Sequence, residues 1–253
     1  IYSSLKILLL FAFVWFGAYG IFSAYMISLI IAFLVVFIVL IYKFNYKPKF
    51  ALYDSIIKKI GGYSFGNYIA GFIGGLPTLI LPLLILNKLG AEQSAYYYMA
   101  MMIAGLLFVI PGGVSQSLFA EGSHNEKHIK QQIKKSIKII SLLLIPAIIL
   151  TIFFGKYILL LLGKNYSSQG YMFLNLMAIS AIFVSINAIL GSILNIRKKI
   201  RVIITRSILS AILILGLSIW FINQGQGLIG IGYAYLIGQF LTAIMFLWVV
   251  WRK

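Results

Sequence analysis

Eight long stretches of apolar residues, separated by short polar links, follow one another along the chain. An α-helix needs about 20 mostly apolar residues to cross a bilayer, and none of the stretches alternates apolar with polar residues as a barrel strand does. The pattern therefore predicts an all-α polytopic membrane protein. The predicted spans are Tyr2–Tyr19, Ile21–Tyr42, Tyr63–Leu86, Ser94–Phe119, Ile137–Phe154, Tyr171–Asn195, Val202–Ile222 and Leu228–Trp251.

The composition excludes a water-soluble domain. Of the 253 residues, 62% are hydrophobic and only 10% are charged, whereas soluble domains have about 45–50% apolar and about 25% charged residues. A soluble fold of this length has too little interior to bury so much apolar surface. The chain has no cysteine, so disulfides, thiol catalysis and thiolate metal sites are excluded as well.

The net charge of +17 would suggest nucleic-acid binding in a soluble protein. Membrane proteins, however, collect Lys and Arg in their cytoplasmic links. If the chain starts on the cytoplasmic side, 18 of the 21 basic residues fall inside, and Lys88, Lys156 and Lys164 fall outside. We therefore expect a protein of the cell membrane with both visible ends in the cytoplasm. Its surroundings are membrane lipids, and we expect no nucleic-acid partner.

An internal repeat relates Gly20–Lys43 to Gly230–Lys253 without a gap and with seven identical positions. Trp15–Phe16 also aligns with Trp220–Phe221 once the loop shortens. The second copy comes six spans after the first, which predicts a unit of six helices repeated in parallel orientation. The visible chain would then hold the last two helices of one six-helix bundle and a complete second bundle. We expect four further helices upstream.

This division gives three segments. Residues 1–45 would be the truncated first bundle and residues 63–253 the second. Residues 46–62 are basic, with apolar side chains on one helical face, and predict an amphipathic cytoplasmic connector on the inner leaflet; a solvated linker is the alternative. A similar basic helix is predicted over Glu126–Ile140. The first residue is Ile and no signal peptide is visible, so we expect a fragment.

Two motif-like patterns carry no chemistry in this setting. The G-x-G-x-x-G run at 225–230 lacks the strand and βαβ unit of a dinucleotide site, and we expect a tight loop there. His124 and His128 are four residues apart, but a third metal ligand is missing, and we expect a solvated loop. The acids form no catalytic pair or triad, so we expect neither an enzyme nor a cofactor. They are Asp54, Glu92, Glu121 and Glu126.

Polar residues and helix breakers nevertheless occur at membrane depth. Polar groups in hydrocarbon need partners or water, and a broken backbone is tolerated only against protein or a cavity. The densest cluster is PGGVSQS at 111–117, where we expect a bent helix end that faces a polar cavity; an immobile kink is the alternative. The polar residues at this depth are Ser64, Asn67, Ser115, Gln116, Ser117, Asn175, Ser185, Asn187, Thr205, Arg206 and Gln239.

Four segments resemble the polysaccharide flippase family, the lipid-linked oligosaccharide exporters of the multidrug/oligosaccharidyl-lipid/polysaccharide superfamily. The resemblance covers nearly the whole chain and is strongest over Leu76–His124. The segments are LPLLILNKLGAEQSAYYYMA, MIAGLLFVIPGGVSQSLFAEGSH, GKYILLLLGKNYSSQG and GLIGIGYAYLIGQ.

The resemblance implies two bundles of six helices that form a V around a central cavity and rock to expose it to alternate leaflets. It implies a transporter that flips polyprenyl-diphosphate-linked oligosaccharide from the cytoplasmic to the outer leaflet, for surface polysaccharide or glycoconjugate synthesis. A coupling cation is a further partner to consider. Cationic and polar cavity groups would receive the diphosphate and the sugars. On this basis the predicted substrate contacts are Asn67, Tyr68, Gln116, Ser117 and Arg206, with Lys88 as an outer cation.

Three other functions stay open. A cation-coupled multidrug exporter of the same superfamily would favour an apolar and acidic cavity, and no acid lies at membrane depth here. A membrane-embedded glycan polymerase or transferase would need catalytic groups in a large outer loop, whereas residues 155–170 contain neither an acid nor a histidine. A scaffold without transport activity fits the polar interior and the helix breakers less well.

Overall fold

The computed structural model describes residues 2–46, 54–124 and 128–251, and these ranges contain helices and no strands. The prediction of an all-α protein is confirmed. A short 3-10 turn, Val14–Phe16, separates the first two helices. The α-helices are α1 (Tyr2–Phe13), α2 (Gly17–Phe44), α3 (Asp54–Leu89), α4 (Ala91–His124), α5 (Ile129–Leu162), α6 (Lys164–Ile196), α7 (Ile200–Asn223) and α8 (Gly227–Trp251).

Seven helical stretches of the described residues are long and apolar enough to cross a membrane, and the first of them, Tyr2–Phe44, includes both α1 and α2. The Lys6 amine donates to the Tyr25 hydroxyl at 3.1 Å, although the two residues are 19 positions apart. A continuous helix would separate them by about 28 Å, so the chain folds back at Val14–Phe16. The predicted break near Gly20 was therefore placed too late, and α1 has only 12 residues.

The predicted repeat is matched by two unusual backbone positions. Gly17 begins α2 with a φ of 59°, and Gly227, 210 positions later, begins α8 with a φ of 55°. This left-handed conformation is costly for a residue with a Cβ atom but not for glycine. The two helices of the predicted repeat thus both start at a glycine with a positive φ.

A second pair of glycines lies three residues further along each helix. A Cβ atom at Gly20 would come within 3.0 Å of the Cβ of Phe16, and one at Gly230 within 2.7 Å of the Cβ of Phe221. The repeat aligns these two phenylalanines with each other, as it does the two glycines. The close approach after the turn therefore recurs with the sequence.

Contacts divide the chain into two compact units, Ile1–Asp54 and Ser55–Lys253. The second unit is a bundle of six helices, α3 to α8, and α6 is its centre. In the most apolar window of α6, 61% of the residues are buried, against 44% or less in the other candidate spans. α6 packs against α4, α5 and α8, and α7 packs against α8.

The outer surfaces of these helices remain apolar. Large side chains such as Leu106, Leu142, Phe153 and Leu161 are 70% or more exposed. A soluble protein rarely displays apolar side chains in such numbers, whereas lipid tails solvate them without cost. The chain is therefore a multi-pass membrane protein.

Basic side chains gather at one end of the six-helix bundle, where α4 and α6 end and α5 and α7 begin. We call this the basic end. The orientation of this end in the membrane stays a prediction. Its described basic residues are Lys130, Lys134, Lys135, Lys138, Arg197, Lys198, Lys199 and Arg201.

The stretch 111–117 does not end a helix. α4 continues through Pro111 and its two following glycines as far as His124, so the expectation of a helix end is wrong. Proline lacks a backbone donor, but the helix tolerates the loss of one bond when its neighbours pack against it. Pro111 is in fact among the fully buried side chains.

Two predicted segments lie partly outside the described residues. Of the connector 46–62, residues 47–53 are not described, and from Asp54 the backbone already belongs to α3. Of the predicted basic helix Glu126–Ile140, residues 125–127 are not described, and residues from Ile129 onward form the first turns of α5. Both basic segments thus run directly into a spanning helix.

Candidate functional site

A polar cavity of about 520 Å³ opens between α3, α4 and α6 near the basic end. This volume lies in the range of small-molecule sites in proteins, about 300–1,000 Å³. The walls come from the start of α3 and from the ends of α4 and α6, which the alternating direction of the helices brings together. The lining residues are Tyr63, Ser64, Asn67, Ser115, Gln116, Phe119, Ser192 and Asn195.

Short side chains hold the helices around this cavity close together. A Cβ atom at Gly66 of α3 would lie 2.4 Å from the Cγ1 of Ile200 in α7, and one at Gly122 of α4 would lie 2.5 Å from the Cδ1 of Ile196 in α6. Close helix approach through glycine is typical of membrane bundles. It lets polar side chains from different helices reach one another.

Hydrogen bonds join the walls of the cavity. The Tyr63 hydroxyl lies 3.1 Å from the carbonyl oxygen and 3.0 Å from the Oδ1 of Asn195, so it links α3 to α6. The Ser192 hydroxyl donates to the carbonyl of Ser115 at 2.7 Å and links α6 to α4. The Asn195 amide donates to its own helix, at the carbonyl of Gly191, at 3.0 Å. The wall is therefore fixed before any ligand enters.

Three polar side chains of the cavity keep hydrogen-bonding capacity. The Ser115 hydroxyl is buried and has no partner among the described residues. Gln116 is exposed to the cavity and makes no recorded side-chain hydrogen bond there. Asn67 uses one amide hydrogen for a long bond of 3.3 Å to the carbonyl of Tyr63. A buried hydroxyl without a partner is unusual enough to suggest a missing ligand or water.

The described side chains that line the cavity are electrically neutral. None of them is Asp, Glu, Lys, Arg or His. Amides and hydroxyls can both donate and accept hydrogen bonds, which suits a ligand rich in hydroxyl groups. The same lining offers nothing to a cation that needs an acid.

Of the predicted site residues, the structure brings Asn67 and Gln116 into this cavity. Tyr68 is 71% exposed and does not line it. Ser117 belongs instead to a smaller cavity of about 220 Å³ between α4 and α5, where it neighbours Glu121 and Lys135. Its hydroxyl has only a long contact of 3.4 Å to Glu121.

Arg206 of α7 lies against α6, with its guanidinium beside Gly191. Its Nη1 donates to the carbonyl oxygen of Asn187 at 2.9 Å. The Asn187 amide in turn donates to the carbonyl and to the Oε1 of Gln239, at 3.0 and 2.8 Å. The Nε of Arg206 and the Oδ1 of Asn187 are buried without a partner in the described residues. Arg206 is thus half-buried without a carboxylate and does not line the neutral cavity.

The predicted tight loop at 225–230 can be located, whereas the predicted solvated loop between His124 and His128 includes residues 125–127, which are not described. α7 ends at Asn223 and α8 begins at Gly227, with positive φ angles at Gly225 and Gly227. Among the described residues, no group of three His, Cys, Asp or Glu side chains could hold a metal. The glycine run thus begins in the turn at 224–226 and continues into the first residues of α8.

Sequence reasoning did not name four of the described cavity residues. Tyr63 and Phe119 are the end residues of predicted spans, and Ser192 and Asn195 lie in the last turns of α6. Their spacing contains a usable signal. Residues four apart on α3 and on α4, and three apart on α6, lie on one face of a helix. A search for such polar faces at the basic end would have found most of the cavity.

Comparison with known proteins places the chain in a family. Residues 2–170 match the family model described as polysaccharide biosynthesis protein. A curated relative from Shigella flexneri, described as "Putative O-antigen transporter", is 24% identical over 196 residues. The match covers 75% of this chain and 46% of the relative, so the chain spans about half of that protein's length.

Solved structures show the same fold at lower sequence identity. The crystal structure of MATE in complex with MaL6 superposes with a TM-score of 0.84 at 16% identity, covering 99% of this chain and 60% of that one. MATE in the bent conformation gives a TM-score of 0.83 at 17% identity, covering 99% of this chain and 59% of that one. The helical arrangement of this chain is therefore a MATE-like fold, and by the match over residues 2–170 the chain belongs to the polysaccharide biosynthesis protein family.

Proposed function

We propose that this chain is the C-terminal part of a transporter that flips polyprenyl-diphosphate-linked oligosaccharide from the cytoplasmic to the outer leaflet. The observation that carries the proposal is the cavity between α3, α4 and α6, about 520 Å³ in volume and lined by neutral amides and hydroxyls. A sugar presents donors and acceptors on every side. Such a lining can replace the water that the sugar loses when it leaves solution.

The position of the cavity fits loading from one side of the membrane. It lies near the basic end, which the distribution of Lys and Arg assigns to the cytoplasm. A cavity open there would receive a substrate assembled on the cytoplasmic leaflet. Rocking of two six-helix bundles would then present the same side chains to the other leaflet.

The family match and the named relative agree with a glycan substrate. The family is described by polysaccharide biosynthesis, and the relative by O-antigen transport. The MATE structures support only the fold, because their identity to this chain is 16–17%. We therefore favour a glycan carrier over a drug exporter and over an enzyme.

The test is a flipping assay with the full-length protein in liposomes that carry a polyprenyl-diphosphate oligosaccharide. Lectin access to the sugars on each leaflet would be followed over time, with and without a proton or sodium gradient. We expect protein-dependent transfer, and an effect of either gradient would identify a coupling cation. Absence of transfer together with gradient-driven efflux of a cationic dye would refute the proposal and favour a multidrug exporter.

A matched pair of variants connects the cavity to transfer. Gln116→Leu removes an amide from the cavity, and Gln93→Leu removes the same amide from the other end of α4. We expect transfer to be roughly fivefold slower for Gln116→Leu, because a lost hydrogen bond to substrate is worth about 1 kcal/mol. The control should transfer at nearly the rate of the unmodified protein. Equal rates for both variants would remove the cavity from the proposed path.

A further inference from the structure

A second large groove lies on a different face of the bundle, between the start of α7 and the end of α8. It consists of two adjoining cavities of about 760 and 710 Å³, which share Arg201, Val202, Trp248 and Val249 as lining residues. The neutral cavity described above is lined by α3, α4 and α6 and shares no residue with this groove. The groove therefore needs its own explanation.

One end of the groove is strongly basic. Lys198, Lys199 and Arg201 line it together, and Lys198 and Arg201 are exposed. No acidic residue occurs anywhere in the sequence from 127 to 253. None of the described residues that line the groove is Asp or Glu, so an anion from outside this lining would be well placed to balance the three cations.

The backbone at this end also presents donors. No side chain caps the N-terminus of α7. The N–H of Lys199 donates to Leu194 and that of Ile200 to Lys198, whereas no acceptor is recorded in the described residues for the N–H groups of Arg201 and Val202. Free N–H groups in the first turn of a helix favour an anion. They add to the three side-chain charges on the same groove.

The rest of the groove is apolar and extends into the membrane. From Arg201 to Leu209 it follows α7 for about 12 Å, at a rise of 1.5 Å per residue. On α8 it is bordered by Ile244 and Met245, each 49% exposed. Trp248 lies beside the cations, and tryptophan in membrane proteins concentrates at the level of the lipid headgroups. The groove is therefore charged at one end and apolar along the rest, like a lipid with a charged headgroup and an apolar chain.

We propose that this groove binds an anionic phospholipid of the leaflet at the basic end. The phosphate lies among Lys198, Lys199 and Arg201, and one acyl chain lies against the apolar side chains of α7 and α8. Basic pockets between membrane helices favour anionic headgroups, and Arg can hold a phosphate through two parallel hydrogen bonds. A free phosphate would make the same contacts with the cations but would leave the apolar part of the groove empty, whereas the acyl chain of a lipid packs along it and anchors the headgroup at this depth.

The proposal is independent of what the protein transports, and it is tested by lipid binding alone. Full-length protein would be purified from nanodiscs that contain phosphatidylglycerol and phosphatidylcholine in equal amounts, and retained lipids would be counted by native mass spectrometry. We expect retention of phosphatidylglycerol over phosphatidylcholine. Millimolar inorganic phosphate should not displace it, and displacement by phosphate would overturn the assignment to a lipid.

Two triple variants separate the groove from general basic charge. Lys198→Gln with Lys199→Gln and Arg201→Gln removes the cations of the groove. Lys130→Gln with Lys134→Gln and Lys138→Gln removes three exposed charges from α5 at the same end. We expect the first variant to bind phosphatidylglycerol at least about tenfold more weakly, since each basic residue near a membrane contributes about 1 kcal/mol, and the second to bind it normally. Equal loss in both variants would show non-specific attraction and overturn the proposal.

Leu209→Trp tests the apolar part of the groove without changing its charge. The larger side chain fills the channel that the acyl chain would occupy. We expect weaker retention of phosphatidylglycerol and an unchanged response to salt. Unchanged retention, or a preference for a polyprenyl phosphate over phosphatidylglycerol, would overturn the assignment of this groove to a phospholipid.

Discussion

The hydroxyl of Tyr63 lies within hydrogen-bonding distance of two oxygens of Asn195, the carbonyl at 3.1 Å and Oδ1 at 3.0 Å. The two residues are 132 positions apart, and each lines the polar cavity. The contact joins the first membrane helix of the six-helix bundle to its central helix. A wall of the cavity therefore depends on a single phenol group.

Tyr63→Phe should loosen this wall without changing its shape. Hydrogen bonds between membrane helices are worth about 0.6 kcal/mol on average and up to about 1.7 kcal/mol, and we expect a loss of unfolding free energy in that range. The measurement is thermal or denaturant unfolding of the detergent-solubilised, full-length protein. Tyr68→Phe is the matched control, because Tyr68 is on the same helix, is 71% exposed and has no hydrogen bond to another described residue. If both variants unfold alike, the contact does not stabilise the bundle.

Membrane helices could be predicted from the sequence because hydrocarbon leaves few alternatives. A long apolar stretch must be a helix to satisfy its own backbone, and all the predicted spans from Tyr63 onward are helices in the structure. The positions at which the helices end were less predictable. Pro111 was expected to end a helix, but packing keeps it buried inside α4, and such packing is a tertiary property that local sequence does not contain.

The site could be predicted only in part, for a similar reason. Asn67 and Gln116 stand out because an amide at membrane depth is rare, and both line the cavity. Tyr63 and Asn195 lie at the ends of predicted spans, where polar residues are common, so nothing local marks them. Arg206 stands out as a charge in a span, but which neighbour it faces depends on how α6, α7 and α8 pack. Here it bonds to the backbone of Asn187.

Alanine substitutions at Ser115 and Ser192 should have opposite effects on the free energy of unfolding. The Ser115 hydroxyl is buried without a partner, so Ser115→Ala should leave the free energy of unfolding unchanged or raise it by up to about 1 kcal/mol. The Ser192 hydroxyl donates to the carbonyl of Ser115 at 2.7 Å, so Ser192→Ala should lower it by about 1 kcal/mol.

The same two variants test the role of the cavity in the flipping assay. If the Ser115 hydroxyl binds a sugar, Ser115→Ala should slow oligosaccharide transfer severalfold although the protein is as stable as before. Transfer at the normal rate would mean that an ordered water, and not the substrate, occupies this position.

Substitution of Arg206 tests whether its charge stabilises the fold or binds the substrate. Among the described residues, its guanidinium donates to the Asn187 carbonyl, its buried Nε has no partner, and no carboxylate pairs with it. A charge held this way at membrane depth destabilises the fold. Arg206→Leu should therefore leave the free energy of unfolding unchanged or raise it by roughly 1 kcal/mol.

Transfer of a diphosphate-linked substrate should fall in Arg206→Leu by tenfold or more if the guanidinium binds the diphosphate, and Arg206→Lys should retain part of the rate. A variant that is less stable but transfers normally per folded molecule would make Arg206 a packing residue. In that case the prediction of Arg206 as a substrate contact would be wrong.

Gly66 and Gly71 lie on the same helix and should respond oppositely to alanine. A Cβ atom at Gly66 would meet the Cγ1 of Ile200 at 2.4 Å, whereas one at Gly71 would meet nothing within 4 Å. Gly66→Ala should destabilise the bundle by about 1–3 kcal/mol, the range for overpacking a close contact. Gly71→Ala should stabilise it by up to about 1 kcal/mol, because alanine is the better helix former.

Adding Ile200→Ala to Gly66→Ala should restore most of the lost free energy of unfolding, since it removes the Cγ1 atom of Ile200 that would clash with the new Cβ. Thermal unfolding of the four proteins would decide, and a failure of Ile200→Ala to compensate would show that α3 and α7 do not approach each other at this glycine.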